Sequence, residues 1–411
     1  MALLDILKKG KKTAGDFLLR ISSSVLTTLA NQVVLLPLLA YIFDEAEYGL
    51  ILTLFGIKNI ISGTLGNSLY STRLIVNARY DEEGKTGDFN LLITIAALLS
   101  AVAVVAASFF FKGVSPVIWL LLVPVVMIYT LNAYLTVWYP VKLQFKKSFV
   151  HSMVVSVGTL IGAALVYFTK LWPLAYLASG VAGLCFILAK TKIFSEGFKK
   201  TDLMGVTVGK WSVLIVTTLL VNVVTYLDRL ILYPLLGAEA VSTFSTASYF
   251  GKALSVVAMP VASVMLGYYA QRNFKMNTKR FWTINGVCLL MLVAFAGFSL
   301  LLGKPVTGLL FPKLIDDAAP YVFIANVSCA VAALVQIVQS AAMRYAKTYW
   351  QLVIQIVYFV IYFGVGLIMI KTNGLMGFCI ASLIANCSRM VLQLAIGHFA
   401  VGGNNDSDKE T

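Results

Sequence analysis

Residues 225–237 read TYLDRLILYPLLG, which places Asp228 and Arg229 side by side inside an apolar run. An adjacent acid and base can neutralise one another, bind a proton or a metal cation, or present charge to a cargo. Lys58, Lys252 and Arg389 have similar apolar surroundings, and Arg20 lies just inside the first such run. A charge there is costly, so it faces a partner or a water-filled cavity unless a long side chain carries it to a membrane surface. Arg20 and Arg389 are near enough to a surface to do that. Lys58 is expected roughly 15 Å deep, counting about 1.5 Å per helical residue from the outer end of its run.

Helical spacing puts polar company on the same faces. Thr218, Asn222, Thr225 and Arg229 form one stripe, and Ser245, Ser248, Lys252, Ser255 and Met259 a second. Cys379, Ser382, Asn386, Arg389 and Gln393 form a third, and Arg20, Ser24, Thr27 and Asn31 a fourth. Such stripes border a hydrated cavity or supply hydrogen bonds between packed helices, and spacing leaves both readings open. The embedded cations outnumber the one clear embedded acid, Asp228. A cavity they line is therefore net positive and suits an anionic cargo. Asp228 is the strongest candidate for binding a coupling proton or sodium ion. The Asp228–Arg229 pair either braces its helix or joins that chemistry.

The elements that position these residues follow from composition. Of 411 residues, 59% are hydrophobic and 12% charged, and the mean hydropathy is +0.87. That describes an all-α integral membrane protein. Breaks at charge clusters and Pro/Gly turns predict about twelve transmembrane helices of roughly 20 residues or more. The spans are 17–42, 48–77, 89–111, 114–139, 149–169, 172–193, 208–236, 239–271, 281–303, 319–343, 349–371 and 374–400. They form two six-helix lobes, 1–200 and 201–400, followed by a disordered cytoplasmic tail over 401–411.

Lysine and arginine set the orientation. With both termini cytoplasmic, inside loops and helix ends hold 23 of these residues and outside connections 5, an asymmetry a wrong helix count would scramble. Most of the net charge of +14 is then a topology signal, and no nucleic-acid partner is implied. The first apolar run is too long for a signal peptide and is expected to be retained. The five cysteines lack metal-ligand spacing, and His151 and His398 stand apart. Neither a Cys/His catalytic pair, a metal site nor a cofactor is predicted, and no glycine-rich phosphate loop follows a strand.

Residues 37–50, PLLAYIFDEAEYGL, and 234–244, PLLGAEAVSTF, share PLL, an acidic outer turn and a new helix. Lys58 and Lys252 then fall at matching positions, so the lobes are expected to be parallel repeats related by a pseudo-two-fold along the membrane normal.

These same stretches carry a family resemblance. FDEAEYGLILTLFGIKNII, with Glu45 to Gly49, and TYLDRLILYPLLGAEAVSTFSTASYFGKAL, with Asp228, Arg229 and Leu236 to Val241, resemble the signatures of the bacterial polysaccharide flippases. Those are the O-antigen and capsule repeat-unit transporters of the multidrug/oligosaccharidyl-lipid/polysaccharide exporter superfamily. Ser242 departs from the glycine usual there. The resemblance implies translocation of an undecaprenyl-pyrophosphate-linked oligosaccharide from the inner to the outer leaflet of the bacterial cytoplasmic membrane. It implies alternating access through a cationic central cavity, with Arg20, Lys58 and Lys252 on the diphosphate and Arg229 and Arg389 extending the field. Membrane lipids and polysaccharide assembly proteins are the partners it suggests.

Two other classes compete. A drug or small-metabolite antiporter of the same superfamily would share the fold, but for cationic drugs it should line its lobes with acids. A membrane polysaccharide polymerase or ligase should carry a substantial polar outer loop. The longest outer connection, about 304–318, has only Lys304, Lys313, Asp316 and Asp317 as charges.

Overall fold

A computed structural model describes residues 19, 22–111, 113–269, 276–347 and 349–407. Among them all regular structure is helical. In chain order the helices are α1 (Ser22–Ile42), α2 (Glu45–Glu82), α3 (Asp88–Ser108), α4 (Pro116–Val141), α5 (Phe145–Thr169) and α6 (Pro173–Lys190). They continue with α7 (Met204–Thr225), α8 (Leu227–Ala247), α9 (Tyr249–Tyr269), α10 (Thr278–Leu310), α11 (Val322–Tyr345) and α12 (Tyr349–Ser407). Eleven stretches are long and apolar enough to cross a membrane. The expected membrane class follows, because hydrocarbon offers no partner for a free backbone N–H or C=O and a helix satisfies both internally.

Helix ends differ from expectation in instructive ways. α12 is far too long for one crossing. Asn373 and Gly374 leave helical geometry inside it, with Gly374 at φ 55°, so the two final expected spans meet there without an open loop. Gly237 breaks α8 in the same manner at φ 86°, a left-handed conformation that glycine adopts without a Cβ clash. The seventh span, expected to be continuous over 208–236, is interrupted at Tyr226, where α7 ends. α12 runs on to Ser407, with Val401 buried, and the remainder of the expected tail lies outside the described residues.

Contacts divide the chain into two compact units. The first comprises the described residues up to Ile42 with Ile51–Leu230, and the second Phe43–Leu50 with the described residues from Ile231 onward. The first unit includes α7, which packs along α2. Its apolar core joins Leu69, Val76 and Tyr80 of α2 to Phe89 and Ile93 of α3 and Tyr134 of α4. α5 and α6 approach almost backbone to backbone: a Cβ on Gly162 would lie 2.6 Å from the Ala175 carbonyl oxygen.

In the second unit, α11 is the hub, packing on α9, α10 and α12. The start of α2 belongs here. Asp44 Oδ1 accepts the Glu47 N–H at 2.7 Å, which starts the helix at Glu45. Thr243 Oγ1 donates to Glu45 Oε1 at 2.6 Å. A Cβ on Gly49 would meet the Ala238 carbonyl oxygen at 1.7 Å. The two sequence-similar segments therefore touch one another.

Candidate substrate-binding site

α2 carries Lys58 into the first unit, where its side chain is 2% exposed. Nζ lies 3.4 Å from the Tyr129 ring centroid, 4.6 Å from Tyr176 and 4.8 Å from Phe55. Phe55 is one helical turn away on α2, while Tyr129 comes from α4 and Tyr176 from α6. The ring quadrupoles attract the ammonium without cancelling its charge. Arg73, Arg79 and Lys85 form ion pairs in this unit, and among the described residues Lys58 forms none.

Arg229 shares the Phe55 ring. Its guanidinium carbon is 5.5 Å from that centroid and 5.4 Å from Tyr226, and Nη1 donates to the Leu52 carbonyl at 2.7 Å. Gly56 makes room, since a Cβ there would sit 3.3 Å from Arg229 Cδ. Asp228 Oδ1 accepts the backbone N–H of Arg229 at 2.9 Å, supporting the first turn of α8 just after the break at Tyr226. The first unit therefore brings Lys58 and Arg229 onto one shared aromatic ring, Phe55.

Beside this cluster is a cavity of about 380 Å³. Asn59, Asn132, Asn222, Tyr129 and Tyr226 line it together with His151, and among the described residues no Asp, Glu, Lys or Arg does. Part of its wall is Gly63 and Asn67, from a π-helical stretch, Gly63–Asn67, within α2. Single π turns widen a helix locally and recur at functional sites. A second cavity, of about 240 Å³, shares Thr136, His151 and Val155 with the first and reaches Ser24 and Thr27 of α1.

In the second unit Lys252 is half-buried on α9, with Nζ 5.0 Å from the Phe244 ring. Arg389 on α12 donates through Nη2 to Gln339 Oε1 at 3.3 Å and lies 5.1 Å from the Tyr358 ring. Its neighbours in the polar stripe serve packing: Ser382 bonds Ser328 at 2.8 Å, Asn386 donates to Ser328, and Gln393 exchanges amide bonds with Gln351. Arg20 lies outside the described residues.

Sequence reasoning missed several residues. Arg73, counted as a cytoplasmic end charge, is buried; it donates to Tyr134 OH at 2.7 Å, pairs with Glu196 and stacks 5.0 Å from Phe89. Asp88 is buried as well, accepting from Tyr80 OH and the Thr201 N–H, each at 2.7 Å, and so pins the connection after α6. The aromatic cage has no local signature, since Phe55, Tyr129 and Tyr176 come from three separate helices.

No family model matches the chain, and no curated protein matches it by sequence. Solved structures do match. A Vibrio cholerae MATE transporter, VcmN in its bent form, superposes with a TM-score of 0.62 over 95% of this chain and 97% of its own, at 16% identity. The lipid II flippase MurJ, inward closed, gives 0.62 over 93% and 86%, at 15% identity. An outward-facing multidrug resistance MATE family transporter of the MOP superfamily gives 0.61 over 94% of each chain, at 14% identity. The fold is therefore the one shared by MATE transporters and MurJ, and the chain is a multi-pass membrane protein.

Proposed function

We propose that this protein is a flippase for an undecaprenyl-pyrophosphate-linked oligosaccharide repeat unit. It moves that lipid from the inner to the outer leaflet of the bacterial cytoplasmic membrane for surface polysaccharide synthesis. The observation that carries the reading is Lys58, a deeply buried cation caged by aromatic rings and, among the described residues, in no ion pair. A positive charge left unneutralised inside a membrane helix bundle is a site for an anionic group. The diphosphate of a lipid-linked glycan is such a group. Its polyprenyl tail stays in the bilayer while the polar head, too hydrophilic for hydrocarbon, needs a protein-lined path. Arg229 supplements Lys58, Lys252 and Arg389 supply cations from the second unit, and alternating access exposes them to each leaflet in turn. Arg20 is the remaining member of the set. MurJ, a flippase of lipid II with this fold, supports the substrate class.

A second reading is export of a drug or small metabolite by antiport. The cavity of about 380 Å³ favours it, being sized for a small molecule. Proteoliposomes separate the two. The flippase reading expects a fluorescent undecaprenyl-pyrophosphate oligosaccharide to become accessible to an outside quencher at a protein-dependent rate, without export of small organic ions. Export of those ions with no movement of several such lipids would establish the antiporter instead.

A further inference from the structure

We propose that the uncharged cavity of the first unit binds a neutral, hydroxyl-rich group the size of one sugar ring. Asn132 Oδ1 and the Asn59 and Asn222 amide oxygens accept its hydroxyl protons, and His151 lines the same cavity. The assignment rests on the flippase reading only in identifying that group with part of the glycan.

The argument starts from which hydrogen-bonding capacity is already used. Asn59 Nδ2 donates to Tyr226 OH at 2.8 Å, Asn132 Nδ2 to the Gly180 carbonyl at 2.8 Å, and Asn222 Nδ2 to Thr64 Oγ1 at 3.2 Å. Each amide thus commits an N–H to the protein and retains its oxygen as an acceptor. One acceptor on the cavity wall, Asn132 Oδ1, is buried with no partner among the described residues. The His151 side chain is only 8% exposed, its ring packed at 5.7 Å on Tyr139 and 5.9 Å on Phe186. A buried acceptor without a protein partner is costly to leave unmet, so a ligand rich in O–H donors gains by entering.

Charge narrows the ligand further. Among the described residues no acid lines the cavity to hold a cation, and Lys58 lies just behind the Tyr129 ring. Among the same residues no Lys or Arg lines it to offer a fork for a phosphate. A neutral polyol satisfies both conditions, and the Tyr129 and Tyr226 rings offer flat apolar surface to a sugar ring. Diphosphate at Lys58 and sugar in the cavity are then neighbouring parts of one headgroup.

The chain has two histidines, so 15N-histidine NMR of the full protein in nanodiscs resolves His151 once His398→Gln assigns the other signal. The probes are glucose, galactose and N-acetylglucosamine, with tetraethylammonium and inorganic pyrophosphate as charged controls. At least one sugar is expected to shift the His151 Nε2 resonance saturably, and neither ion to do so. Asn132→Ala should weaken that binding about tenfold or more, the loss of one good hydrogen bond. Asn222→Ala, also on the cavity wall, should do likewise if Asn132→Ala melts early. A cavity that holds only water gives no saturable shift with any sugar, and that result overturns the proposal, as does an equal response to either ion. Sugar binding in a protein that flips no lipid-linked glycan would remove the flippase reading and leave the site. Flipping undiminished in both folded variants, with no sugar shift, would remove the site and leave the flippase reading.

Discussion

Lys58 Nζ lies 3.4 Å from the centre of the Tyr129 ring, and that one contact ties a cation on α2 to the wall of a polar cavity built from α4. The cage solves a specific problem. A carboxylate would stabilise the ammonium but also cancel the charge, whereas aromatic faces stabilise it and leave the field available to a ligand. Tyr129 also hydrogen-bonds Ser179 at 2.7 Å, fixing its ring. Tyr129→Leu should remove about 2 kcal/mol of desolvated cation–π attraction. Tyr129→Phe keeps the ring and should lose less. Thermal melts of the two variants in matched detergent check the order, and equal losses would show that the hydroxyl, not the ring, supports Lys58.

The Arg73–Glu196 pair should behave as structure, not as cargo site. Arg73→Met leaves Glu196 partly buried without its partner and should cost about 3–5 kcal/mol. Arg73→Met with Glu196→Gln should recover part of that loss, because neither charge is then stranded. A double-mutant cycle read by thermal unfolding gives the coupling; additive losses would mean that the two side chains do not act as a pair.

At the start of α2, Gly49 faces the Ala238 carbonyl with no space for a methyl group. Gly49→Ala should therefore abolish accumulation of folded protein. Thr243→Val, which deletes the hydroxyl shared between Glu45 Oε1 and the Glu239 carbonyl, should cost about 1 kcal/mol. Size-exclusion profiles of fluorescent fusions distinguish these outcomes, and a monodisperse, native-like Gly49→Ala would refute the close approach.

Much of this was legible in the sequence. Hydropathy sufficed for the all-α membrane class, because a bilayer leaves few other solutions for the backbone. Lys58 stood out because its depth rules out snorkelling. Its cage did not, since Tyr129 and Tyr176 arrive from separate helices and local spacing carries no signal for them. Arg73 was taken for a surface charge because its partner Glu196 is 123 residues away. The break at Tyr226 lacks a Gly or Pro at the break itself, so periodicity ran straight through it. Among the stripe residues on α12, Ser382, Asn386 and Gln393 proved to be interhelical bonds, an alternative that spacing had left open.

Asp228 separates bracing from coupling. Asn at this position keeps an oxygen able to accept the Arg229 N–H, so Asp228→Asn should fold with less than about 1 kcal/mol of loss. If Asp228 carries the coupling proton or sodium ion, transport in that variant loses its dependence on the ion gradient. Transport with full rate and full ion dependence would leave Asp228 a purely structural cap.

The most direct measurement is quencher accessibility of a fluorescent undecaprenyl-pyrophosphate oligosaccharide in proteoliposomes, comparing native protein with Lys58→Met and Lys58→Arg. Methionine fills the cage without charge, and arginine restores the charge. The native protein should flip the lipid, Lys58→Met should be slower by about tenfold or more, the scale of a 1.4 kcal/mol loss, and Lys58→Arg should recover part of the rate. Undiminished flipping by a folded Lys58→Met protein would contradict the assignment of Lys58 to the diphosphate.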